Sequence, residues 1–102
     1  LLKLREQILV AMKDGDTRAS TVCVKMGFSL RSFYRKLSNN DHNYRSILAD
    51  SRCRLAKQYL VDGQFTSLEI AFLLGYSEQS AFIRAFKEWM GITPGEYLFL
   101  VK

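Results

Sequence analysis

A three-residue turn occurs twice in this chain. Gly27-Phe28-Ser29 returns 48 positions later as Gly75-Tyr76-Ser77, and Val22-Cys23 returns at the same offset as Ile70-Ala71. Past the turn the offset becomes 49: Phe33, Arg35 and Leu37 correspond to Phe82, Arg84 and Phe86. One extra residue after the second turn accounts for the slip. A repeat of this length within 102 residues demands two copies of one supersecondary unit, and it leaves little chain for anything else.

Each copy reads as helix, glycine turn, helix. In the second, Phe82, Ala85, Phe86, Trp89 and Met90 recur at i, i+3, i+4, i+7 and i+8, the spacing of a core-facing helical stripe. Ser80, Ala81, Arg84, Lys87 and Glu88 fall on the opposite face, with Gln79 near the helix start. In the first copy a helix of about seven residues near Ser20–Met26 ends at Gly27. Phe28 packs, and Ser29 caps a helix from Leu30 to about Leu37. Phe33 and Leu37 face inward there. Arg31 and Arg35 face outward, flanked by Ser32 and Tyr34. A short helix, a tight turn and a second helix with small polar residues and Arg on its free face is the layout of a helix-turn-helix, whose second helix enters the DNA major groove.

The remaining segments frame these two units. Leu4, Ile8, Ala11 and Met12 predict a helix over about 2–13, stopped by Asp14-Gly15-Asp16. Ser38 to Asn43 is a polar break, and Asn43 is a suitable cap for a long helix from Tyr44 to about Leu60. Tyr44, Ile47, Leu48, Leu55, Ala56, Tyr59 and Leu60 are expected to form its buried side. Arg52 falls on that same side, where a carboxylate partner between the two lobes is the expectation and a phosphate contact the lesser alternative. Thr66-x-x-Glu69 and Thr93-Pro94-Gly95-Glu96 are capping boxes, the latter with Pro at the first helical position. Leu68, Ile70, Ala71 and Leu74 are expected to build one short helix, and Tyr97, Leu98 and Leu100 to close the last. The fold class that follows is all-α, about seven helices, with two helix-turn-helix subdomains joined by a long connecting helix. The expected division is 1–42, 43–61 and 62–102. A connecting helix of about 17 residues spans roughly 25 Å and would hold two reading helices near one DNA turn, about 34 Å, apart.

Charge distribution supports a polyanionic partner. The net charge is +5 over the whole chain, yet residues 18–57 hold nine basic and two acidic residues, while residues 58–102 hold three basic and five acidic. A basic middle suits double-stranded DNA. A helical protein-interaction module without DNA readout is the alternative, and it would require an exposed apolar patch rather than a basic face. An enzyme is disfavoured: no nucleophile–base pair, metal cluster or glycine-rich phosphate loop is present. His42 is the one histidine, and Cys23 and Cys53 are the two cysteines, too few for a structural zinc site. Both read as structural thiols of a reducing cytoplasm. No cofactor is called for, and no run is apolar enough to span a membrane. The chain starts at Leu1 rather than Met, so a piece of a longer protein, with a partner domain outside it, is expected.

The combined spacing carries a resemblance. Ile70-Ala71, Gly75-Tyr76-Ser77, Ser80-x-Phe82, Arg84-x-Phe86-Lys87, Gly91-Ile92-Thr93-Pro94 and Tyr97, with Arg52 and Ala56 upstream, resemble the DNA-binding domain of AraC/XylS-type bacterial transcriptional regulators over nearly the whole chain. The resemblance implies a cytoplasmic, sequence-specific DNA-binding domain joined to an N-terminal effector-binding or dimerisation domain, and activation by contact with RNA polymerase. It places base-reading positions on Arg31, Ser32, Tyr34 and Arg35 in the first unit. In the second they fall on Gln79, Ser80, Ala81 and Arg84. Arg suits guanine O6 and N7, Gln suits adenine N6 and N7, and Ala suits a thymine methyl. Lys25, Lys36, Lys57 and Lys87 are the candidate phosphate contacts. The chain departs from the family pattern at Leu37, where Phe is common, at Asp41, where Gly is usual, and at Leu98, where Arg is usual.

Overall fold

A computed structural model of the chain describes residues 2–102. Seven helices account for the regular structure among these residues: α1 Leu2–Asp14, α2 Ala19–Lys25, α3 Leu30–Asn39, α4 Tyr44–Asp62, α5 Ser67–Leu73, α6 Gln79–Met90 and α7 Pro94–Val101. The all-α expectation holds, with α3 and α4 each extending two residues beyond it. The chain divides into two compact units, the first ending at Ser51 and the second beginning at Arg52, so the boundary falls inside α4.

In the first unit α1 packs on α2 and α2 on α3. Its interior consists of Leu4, Ile8, Ala11 and Met12 from α1, Val22 and Cys23 from α2, Phe33 and Leu37 from α3, and Tyr44 and Ile47 from α4. Asn43 caps α4 as its spacing predicts, its side-chain oxygen accepting the Ser46 N–H at 2.8 Å. Tyr44 packs edge-on against Phe33, 5.7 Å between ring centroids, while its hydroxyl donates to the Thr17 carbonyl at 2.7 Å. A buried phenol thus has its polar end satisfied and its ring in the core.

In the second unit α5 packs on α6 and α6 on α7. Ala56, Leu60, Ile70, Ala71, Leu74, Phe82 and Phe86 are buried. Phe86 is the hub, with ring centroids of Phe82, Trp89 and Tyr97 at 6.0, 6.4 and 5.7 Å in edge-on geometry. Both capping boxes form in full, Thr66 with Glu69 ahead of α5 and Thr93 with Glu96 ahead of α7, the latter with Pro94 in the first turn.

The repeat is one of hydrogen bonds as well as letters. After α2, the Phe28 N–H reaches the Cys23 carbonyl at 2.9 Å and the Gly27 N–H reaches Val24 at 3.0 Å. After α5, Tyr76 reaches Ala71 at 2.9 Å and Gly75 reaches Phe72 at 3.0 Å. Each is a Schellman close, and the glycine takes the left-handed conformation it requires, φ 79° at Gly27 and 94° at Gly75. The same close ends α3, where His42 N–H reaches Leu37 and Asp41 N–H reaches Ser38, but Asp41 holds the left-handed position, φ 59°.

Leu68 and Leu100 stand in the helices expected of them, α5 and α7, at exposed positions, 45% and 70%. Ile70, Ala71 and Leu74 already fill the inward face of the α5 segment, and Leu68 lies outside that arc. In α7 four apolar residues follow one another from Leu98 to Val101, and a helix can turn only part of such a run inward. Within the second unit, Arg52 Nε donates to the Leu74 carbonyl at 2.9 Å.

Candidate nucleic-acid interface

α3 and α6 each turn a buried stripe inward and leave a polar face free. On α3, Phe33 and Leu37 are buried, whereas Arg31, Tyr34, Arg35 and Lys36 are exposed and Ser32 is half-buried. The Ser29 hydroxyl oxygen accepts the Ser32 N–H at 3.2 Å and its O–H donates to the Ser32 hydroxyl at 3.0 Å, so Ser32 is part of the cap that fixes the start of α3. Arg31 and Arg35 lie one turn apart on the open side.

On α6, Gln79, Ser80 and Arg84 are exposed and Ala81 is half-buried. Ala81, Arg84, Ala85, Lys87 and Glu88 border a shallow hollow on that face. The start of α6 differs from that of α3. Its N-cap residue, Glu78, makes no side-chain capping bond, and its carboxylate instead accepts from the Ser80 hydroxyl at 3.4 Å. Arg31, Tyr34 and Arg35 are thus exposed on α3, with Ser32 half-buried in its cap; Ser80 and Arg84 are exposed on the outer side of α6, with Ala81 half-buried and Gln79 exposed at the helix start.

The four lysines are placed differently. Lys87 is exposed on α6 and Lys57 half-buried on α4. Lys25 is paired with Asp14 at 3.0 Å, and Lys36 Nζ lies over the Phe28 ring, 5.0 Å from its centroid. A hollow of the first unit lies among Leu4, Met26, Phe28, Phe33 and Leu37, with Lys25 and Lys36 also in its lining. It holds none of the base-reading candidates.

Local electrostatics stiffen the approaches to these helices. The Asp16 carboxyl, ahead of α2, is held well below the usual carboxylate range, first by the Arg18 side chain at 2.9 Å, then by the Thr21 hydroxyl at 2.8 Å and the Arg18 backbone N–H. The Glu96 carboxyl is lowered chiefly by the Thr93 N–H of its capping box. Burial pushes the Tyr76 phenol up, and the Arg52 charge beside it acts in the opposite sense. Sequence reasoning placed Tyr76 in the turn and Arg52 on the inner side of α4, but no local signal links them. The Arg52 guanidinium carbon sits 4.6 Å from the Tyr76 ring centroid.

Two exposed Arg-bearing helices behind duplicated turns define a type of reader, and comparison with known proteins agrees. A family model described as a helix-turn-helix domain matches residues 12–98. The chain belongs to the AraC/XylS family. It is 46% identical over 67 residues to the ornithine utilization regulator of Pseudomonas aeruginosa, a match covering 66% of this chain and 20% of that protein. It is 35% identical over 80 residues to the porin thermoregulatory protein EnvY of Escherichia coli, covering 78% of this chain and 30% of that one. The chain thus spans less than a third of each of these relatives. The C-terminal domain of AraT, a response regulator from Geobacillus stearothermophilus, shares the fold with a TM-score of 0.83 at 24% identity, covering 95% of this chain and 81% of that one. This AraC-type chain is a sequence-specific DNA-binding domain of the kind that regulates transcription, not an enzyme. Among its described residues, no helix is long and apolar enough to cross a membrane.

Proposed function

We propose that α3 and α6 read two half-sites of one duplex in successive major grooves, each unit acting as one reading head on either side of a connecting helix, 43–61. Arg31, Ser32, Tyr34 and Arg35 read the first half-site. Gln79, Ser80, Ala81 and Arg84 read the second. Lys25, Lys36, Lys57 and Lys87 hold phosphates and set register. The observation that carries this reading is the repeated Schellman turn, which presents an exposed Arg-bearing face in each unit. Within a longer bacterial regulator the chain would work in the cytoplasm, at the nucleoid, beside an N-terminal effector or dimerisation domain. It would activate transcription through contact with RNA polymerase. The length of the relatives supports the further domain, since the matched segments make up 20% and 30% of them.

The test is selection of bound sequences from a random duplex pool, with the winning duplex titrated against salt. Two enriched half-sites about ten base pairs apart, centre to centre, are expected. Enrichment of one half-site alone would leave a single reading head. Salt-sensitive binding without enrichment would remove sequence readout by this chain on its own.

A further inference from the structure

We propose that Arg52 is a positioning residue for base readout by α6: from α4 it latches the turn between α5 and α6 and so fixes the angle at which α6 is presented. The inference rests on the reading that α6 contacts bases. Two contacts form the latch. Arg52 Nε donates to the Leu74 carbonyl at 2.9 Å, on the last residue before the turn glycine. The guanidinium carbon sits over the Tyr76 ring, 4.6 Å from its centroid, on the first residue after it. One rigid, planar cation therefore holds both sides of Gly75, the residue with the most backbone freedom in the turn.

The comparison between the two units shows why the second needs this. In the first, two residues separate Gly27 from the start of α3, and the Ser29 side chain caps that helix. In the second, three residues separate Gly75 from the start of α6, and Glu78 supplies no side-chain cap. The second turn is longer and its helix start is less restrained. The turn aromatic of the first unit, Phe28, also carries a cation, but that cation is Lys36 from the reading helix itself. In the second unit the cation comes from outside the turn and both its flanking helices, so it can fix the turn against the rest of its unit.

A latch and a phosphate contact make opposite predictions. Replacing a phosphate contact lowers affinity for all DNA alike and cuts the salt slope by about 0.9. Replacing a latch leaves affinity for random duplex and the salt slope in place, and costs discrimination in one half-site only. The experiment repeats the duplex selection with Arg52→Lys, Arg52→Leu and Tyr76→Leu, together with thermal melts and titrations on the selected and a random duplex. The expected result is that the half-site read by α6 loses its base preferences while the other keeps them. The ratio of specific to random affinity should fall about tenfold, the order of one lost base contact.

Arg52→Lys should behave as Arg52→Leu does, because an ammonium keeps the charge but not the flat stacking surface and its fixed N–H. Rescue by Lys, or an equal loss on random DNA, would overturn the proposal in favour of a charge contact. Tyr76→Leu keeps every cation; unchanged preferences in that variant would overturn it too. If Arg52→Leu fails to fold, Arg52→Lys and Tyr76→Leu decide the matter. A wild-type chain that enriches no half-site would instead remove the DNA reading itself.

Discussion

Asp41 is the residue most at odds with its backbone. It occupies the left-handed position of a Schellman close that glycine fills after α2 and α5. Its Cβ costs conformational energy there, and its negative charge lies just past a helix C-terminus, where the dipole disfavours anions. Asp41→Gly is expected to stabilise the chain by roughly 0.5–1 kcal/mol, read as a rise of a few degrees in melting temperature. A lower melting temperature would show that the Asp41 side chain has a favourable partner. Asp16 makes a pH-dependent contribution of definite sign. Its folded carboxyl is depressed below the ordinary range of an aspartate, so the stabilisation is present above that range and is lost as pH falls through it toward the folded value. The melting-temperature gap between wild type and Asp16→Asn should therefore be full at neutral pH and shrink below about pH 4. A gap independent of pH would show that the carboxylate charge is not what holds the loop. Arg35→Ala should cost about 1–3 kcal/mol on the selected duplex and relax one base preference. An equal loss on random DNA would make Arg35 a phosphate contact.

At the scale of the element, α6 has two duties on two faces. Phe86 shows how firmly the inner face is fixed: it is fully buried and meets three aromatic rings. Phe86→Ala should cost about 3–5 kcal/mol through the cavity left behind, and an unaltered thermal melt would refute that hub. Most of α6 was legible in the sequence because one turn of helix brings Phe82 and Phe86 onto one face, and period is a local property. The caps at Ser29, Asn43, Thr66 and Thr93 were legible for the same reason, since each bond spans three residues. What escaped was tertiary. Nothing near Arg52 indicates that its partners stand 22 and 24 positions away, at Leu74 and Tyr76. For the eight base-reading candidates, what the fold adds to the spacing is an accessible face on each of two helices.

Over the whole molecule, the two copies share a backbone pattern and differ in charge. Nine of the fifteen Lys and Arg residues fall between 18 and 57, while 58–102 carries more acid than base. Electrostatic affinity for a duplex scales with the phosphates neutralised, not with the number of reading helices. The duplicated fold should thus bind with unequal halves: the segment 18–57 supplies most of the salt-sensitive affinity, and α6 adds discrimination at low electrostatic gain. Lys25 is the weakest contributor expected among the lysines, because contact with a phosphate must compete with its Asp14 pair. Lys36 and Lys57 carry the test. The double variant Lys36→Gln, Lys57→Gln should lower affinity for selected and random duplexes by the same factor. It should also flatten the plot of log affinity against log salt by about 1.8, since each phosphate contact contributes roughly 0.9. Base preferences from duplex selection should be those of the wild type, because a phosphate carries no sequence information. An unchanged slope would move the phosphate contacts elsewhere on the surface, and a changed base preference would turn one of these lysines into a reader.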